Sequence, residues 1–168
     1  GIATAMGLAY GLNIPACGIG TLEGLAYGAR LLAGPGMLVC PVIDAKRSEA
    51  YTAVYRMTDG IPETVMKPAA LPAVNLAGRL AEYGEPVLVT GPGITVFKDI
   101  ISKSPGESVT FAEPESAHPS ARFIAGLGID VYRGTSGLNP AQLEPIYLRR
   151  SDAEILRDSK QGGAGKCR

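Results

Sequence analysis

The chain has 168 residues, 46% hydrophobic and only 19% charged, with sixteen basic residues balancing sixteen acidic ones. That is enough apolar material for one packed domain, and a net charge of zero provides no overall field to attract nucleic acid. Three cysteines, odd in number and irregular in spacing, exclude a disulfide frame or a zinc site built on paired thiolates, and imply a reducing, cytoplasmic setting. No apolar run reaches the roughly 18 residues of a membrane span.

Residues 1–12 (GIATAMGLAYGL) predict a helix of small and apolar side chains. Ala3, Gly7 and Gly11 recur every four residues, leaving one nearly bare stripe. Each interior glycine costs about 1 kcal/mol against alanine, so the stripe calls for a helix that approaches unusually closely. That second helix belongs either to the same chain or to another protein. The chain opens in this pattern without an initiator Met or a capping residue, as expected of the C-terminal part of a longer polypeptide.

Asn13-Ile14-Pro15 stops the helix, ACGIG predicts a short strand, and Thr21 is a good N-cap for a helix over 22–32 with Leu22, Leu25, Ala26, Ala29 and Leu32 inward. After Gly34-Pro35-Gly36 the apolar run 37–43 predicts a buried strand. Asp44, Lys46, Arg47 and Glu49 then turn the chain, and a second β-prone run carries Tyr51, Val54 and Tyr55. The result is a buried hairpin with a charged tip, a place where contacts with other molecules are common but where the charges also serve simply to solvate a turn.

Downstream, Asp59-Gly60 with Pro62 reads as a loop, 64–66 as a short edge strand, and 68–83 as a helix with Leu76, Leu80 and Tyr83 inward and Gly84 as its stop. Residues 86–91 (PVLVTG) predict a short strand of the parallel kind, leading through Gly91-Pro92-Gly93 into a helical pattern. Strand, glycine turn and helix is the arrangement that cradles phosphate. Gly91 and Gly93 are therefore weak nucleotide-binding candidates, without a P-loop lysine and with Pro92 lacking an N–H. Residues 108–111 predict a strand, and a helix over 121–127 follows the only histidine, His118, which has no partner for general-base work. Residues 140–150 read as an extended segment docking on the core, and 151–168 as a polar, flexible tail without repeats elsewhere. The order of elements predicts an α/β fold with a mixed sheet flanked by helices, and no set of residues suited to catalysis on its own.

Four segments, GIATAMGLAYGLNIP, GIGTLEGLA, VIDAKRSEAYTAVYR and LEPIYLRRSDAE, occur in an order that resembles the bacterial TsaB (YeaZ) family. The resemblance implies a lobe of RNase H-like topology from the actin-like ATPase superfamily over 37–150, with 1–36 as the remnant of a first similar lobe. It implies a non-catalytic scaffold that binds a TsaD-type paralogue, and with it a TsaE-type ATPase, for threonylcarbamoyl modification of the adenosine next to the tRNA anticodon. ATP and metal would then reside in the partner rather than in this chain, and tRNA would be met only indirectly. By the same resemblance Ala3, Met6, Gly7, Tyr10 and Gly11 lie on a partner-binding or homodimer helix, and Asp44, Arg47, Glu49 and Tyr51 form a family signature. A glycoprotease-like metallopeptidase and a nucleotide-binding lobe are the alternatives. The first needs more metal ligands than His118 supplies.

Overall fold

The computed structural model of the chain describes residues 1–103, 109–113 and 118–149. The sheet begins with a long apolar run, and every residue from Leu38 to Val42 is buried. This strand, β1 (Leu38–Asp44), turns back into β2 (Glu49–Thr58), which turns again into β3 (Ile61–Pro72). The second turn has two residues, Asp59 and Gly60, with φ of 51° and 79°, the left-handed pair that matches the twist of a tight hairpin. β4 (Val87–Thr90) and β5 (Val109–Phe111) then add in parallel on the other side of β1. The five strands lie in the order β3-β2-β1-β4-β5, with β2 antiparallel to both neighbours. The predicted mixed sheet is therefore present, and the whole of β4 is buried, so helices cover both faces of its centre.

Helix α1 (Ile2–Leu12) precedes the sheet, as does α2 (Thr21–Gly28), which continues as a 3-10 turn over Ala29–Leu31. α3 (Ala73–Glu82) and α4 (Ile94–Ile101) pack on each other, and α5 (Ala121–Thr135) packs on α2. Leu22, Ala26 and Ala29 join one core with Leu38, Val54, Leu76, Val89, Phe97 and Ile101. Leu76 and Leu80 point inward as predicted, and Gly84, at φ 63°, follows the end of α3.

Several local expectations fail for identifiable reasons. The ACGIG segment is not a strand; only Ala16 pairs, in an isolated bridge with Leu138. Gly20, rather than Thr21, occupies the N-cap of α2, and Leu32 lies exposed because the helix tightens to 3-10 geometry before reaching it. The edge strand spans twelve residues instead of three, and the helix predicted from 68 starts only at Ala73. β3 contains prolines at 62, 68 and 72, which an edge strand tolerates because it need not donate every ladder bond. Two irregularities in its register, between Thr52 and Tyr55 of β2, absorb the misfit. The last helix runs through Gly126 and Gly128 to Thr135, because Gly126 packs against Tyr27 of α2 and Gly128 faces Ile19 just before it, rather than ending the helix. Residues 104–108, 114–117 and 150–168, which include the start of the predicted 108–111 strand and the whole polar tail, lie outside the described residues.

Candidate functional site

Helix α1 is the least covered element of the fold. Its eleven residues include no acid in the first turn and no base in the last, and Ala9 alone is buried. Met6 is half-buried; Ala3, Gly7, Tyr10 and Gly11 are exposed. Tyr10 is 75% exposed and Leu8 62%. A Cβ placed on Gly7 or Gly11 would meet nothing within 4 Å, so the bare stripe faces open space. A helix apolar on all sides is ordinarily enclosed, whereas this one touches the rest of the described chain mainly at the 3-10 turn Pro140–Gln142. Its C-terminus is well formed, since Asn13 takes φ 53° and its N–H bonds back to Ala9 and Tyr10 carbonyls.

The tip of the β1–β2 hairpin brings together the second set of sequence candidates. Asp44 accepts from the backbone N–H of Lys46 at 2.8 Å and from its Nζ at 2.6 Å. These two bonds hold the Asp44 carboxyl below its ordinary range. Lys46, Arg47 and Ser48 all adopt left-handed φ, between 56° and 64°, a costly run for residues with side chains. Three backbone bonds fix the turn: Ala45 N–H to Glu49, Glu49 N–H to Lys46 and Ala73 N–H to Ser48. Arg149, arriving from the far end of the chain, donates to the Ala45 carbonyl at 3.2 Å and lies 3.6 Å from Glu49. Asp44 and Glu49 thus pair with different cations and do not share a proton or a ligand. Sequence reasoning named Asp44, Arg47 and Glu49 but missed Arg149, which lies 100 residues from Glu49 and carries no local signal. Tyr51 points elsewhere, into a pocket beside α2.

Gly91 and Gly93 are pressed against β1. A Cβ on Gly91, at φ 102°, would overlap the Val42 carbonyl oxygen, and one on Gly93 would come within 2.9 Å of it. The Gly93 N–H already donates to that carbonyl at 2.9 Å. Close packing of strand on turn therefore accounts for both glycines, which is their role as a structural turn. His118 is exposed ahead of α5, and among the described residues no three His, Cys, Asp or Glu side chains gather as metal ligands. Cys40 is buried, hydrogen-bonds Thr52 and has its thiol pushed up to about 12 by desolvation, so it is an inert core residue.

Comparisons with known proteins show the family of the chain. A family model described as "TsaD: tRNA N6-adenosine threonylcarbamoyltransferase" matches residues 1–156. The tRNA threonylcarbamoyladenosine biosynthesis protein TsaB of Bacillus subtilis is 29% identical over 154 residues, covering 92% of this chain. The Escherichia coli protein of the same name is 28% identical over 91% of the chain. The chain belongs to this family, in its TsaB/YeaZ group. An uncharacterized protein of Mycobacterium tuberculosis is 35% identical over 156 residues. The chain spans 64%, 65% and 59% of these three relatives' lengths. Two Pseudomonas aeruginosa structures show the same fold. The first, described as an uncharacterized protein with similarity to peptidase YEAZ, has a TM-score of 0.71 at 22% identity and covers 88% of this chain and 65% of its own. The second, described as YeaZ, has a TM-score of 0.70 at 23% identity, covering 88% and 66%. The sheet and helices are accordingly the α/β arrangement with a mixed sheet that the sequence predicts. Among the described residues no helix is long and apolar enough to cross a membrane.

Proposed function

We propose that this chain is a non-catalytic scaffold subunit in the biosynthesis of threonylcarbamoyladenosine on tRNA, and that it binds a TsaD-type subunit through α1. The observation that carries this reading is the open apolar surface of that helix: a stripe of Ala3, Gly7 and Gly11 with Tyr10 beside it, filled by nothing in the described chain. The names of the Bacillus subtilis and Escherichia coli relatives support the pathway. Small residues let two helix backbones approach, and large apolar neighbours such as Leu8 and Tyr10 supply buried area once they meet.

The molecule also contains an example of such a surface when covered. The pentapeptide GLAYG stands at 7–11 and again at 24–28. In α2 its glycines receive Ile124 and Phe123 of α5, and its tyrosine donates to Asp130. A partner helix presenting a similar pair of bulky apolar groups would fit α1 in the same manner. On this reading the TsaE-type ATPase and tRNA are reached through the TsaD-type subunit, which holds the ATP and metal. A second copy of this chain would compete for α1.

The test is reconstitution. Adding the chain to TsaD-type and TsaE-type subunits of the same organism, with the threonylcarbamoyl donor and tRNA, restores modification, while the chain alone modifies nothing. Modification by the other subunits at an unchanged rate without the chain would refute the role.

A further inference from the structure

At the N-terminal end of α2 a cavity of about 280 Å³ opens between the helix, the sheet and the strap of residues 146–149. It shares no lining residue with α1, so it stands apart from the partner reading. Leu22, Ile43 and Tyr51 line it with mostly apolar side chains, Tyr147 flanks it from the strap, and Thr21 and Tyr55 are hydroxyl-bearing residues of its lining.

Tyr55 is the unusual member. The residue is 2% exposed, yet its phenol has no hydrogen-bond partner among the described residues. Buried polar groups are normally paired, and each exception calls for an explanation. Among the described residues, the one unpartnered side-chain oxygen that is sealed off completely is Thr90 Oγ1. The Tyr55 hydroxyl therefore reaches accessible space, and for a residue this deeply buried that space is the cavity it lines. A second set of donors lies close by, because the first-turn N–H groups of α2 have no side-chain cap.

We infer that the cavity binds a small neutral aromatic molecule carrying a carbonyl or ring-nitrogen acceptor, with Tyr55 donating to that acceptor and Leu22, Ile43 and Tyr51 enclosing the ring. The walls match a flat apolar body, as in most small-molecule sites, where a few polar groups fix orientation. Neutrality follows from the charges around it. Arg149 is committed to Ala45 and Glu49. Glu23, on the same turn of α2, acts electrostatically on Tyr55, and its own carboxyl is raised by burial, so an added anion would meet repulsion in a poorly solvated place.

Three ring compounds of similar shape separate the alternatives when titrated into the full chain and followed by amide chemical shifts. Benzamide offers a neutral carbonyl, toluene offers no acceptor, and benzoate is an anion. Benzamide is expected to bind saturably, shifting the amides of residues 20–22 and 55, with toluene weaker by about three- to tenfold, the range of one neutral hydrogen bond. Tyr55→Phe brings benzamide down to the affinity of toluene and leaves toluene unchanged, a selective loss that general loosening of the fold would not give. Absence of saturation by benzamide, a benzoate affinity above that of benzamide, or equal benzamide affinity in Tyr55→Phe would each overturn the assignment. The ranking of the three ligands on the unmodified chain decides the matter even where the variant fails to fold.

Discussion

Two copies of GLAYG, five identical residues in two helices, meet opposite fates. In α2 the copy is enclosed: Leu25 and Ala26 are in the core, Tyr27 is buried with Arg30 stacked 4.1 Å above its ring, and both glycines are filled by side chains of α5. In α1 only the central alanine is buried, and the tyrosine and both glycines look outward. Local sequence determines that each copy forms a helix with one flat side. What lies against that side is decided by the rest of the chain, and for α1 the described residues supply almost nothing. The covered copy shows how much packing such a surface accepts, and so indicates what the open one lacks.

The largest difference between the copies is expected in stability. Gly24→Leu drives a branched side chain into Ile124 and should destabilise the chain by about 3 kcal/mol, the upper part of the overpacking range, in urea unfolding. Gly7→Leu meets no neighbour, and because leucine is the better helix former it should leave the midpoint unchanged or raise it slightly. Equal losses at the two sites would mean that α1 is packed within its own chain.

A smaller contrast concerns the tyrosines. Tyr27 donates to Asp130 at 3.3 Å, so Tyr27→Phe should cost about 1 kcal/mol, while Tyr10→Phe should cost nothing measurable in the isolated chain.

The smallest concerns pH. α1 has no acidic residue in its first turn and no basic one in its last, whereas α2 carries Glu23, whose carboxyl is raised mainly by burial and lowered in part by its bond to Gly20. A raised acid favours the folded state when neutral, so its contribution is fullest below the ordinary glutamate range and falls as pH rises through the folded value. Glu23→Gln should therefore gain stability at neutral pH relative to the parent and lose that advantage on acidification. A gain independent of pH would remove the role given to burial.

The sheet was largely legible in the sequence because its signals are local. An uninterrupted apolar run makes β1, and PVLVTG makes β4. The failures arose where a residue type carries two meanings. Glycine reads as a helix stop, yet Gly126 and Gly128 lie within α5, where Gly126 adjoins Tyr27 and Gly128 adjoins Ile19. Proline reads as a strand breaker, yet β3 begins and ends around three prolines because it is an edge. Of the candidate sites, the stripe on α1 was visible as spacing, while its openness was not, since exposure depends on every other element. The twin pentapeptide was visible too and passed unread. Arg149 on the hairpin tip, and the solitary hydroxyl of Tyr55, are products of folding that no short window of sequence contains.

The central claim is that the flat side of α1 receives a TsaD-type subunit, and calorimetric titration of that subunit with the parent chain and with Gly7→Leu tests it most directly. An affinity lower by about a hundredfold, the scale of a buried hot spot, is the expected result for the variant. Binding of both chains with the same affinity would contradict it.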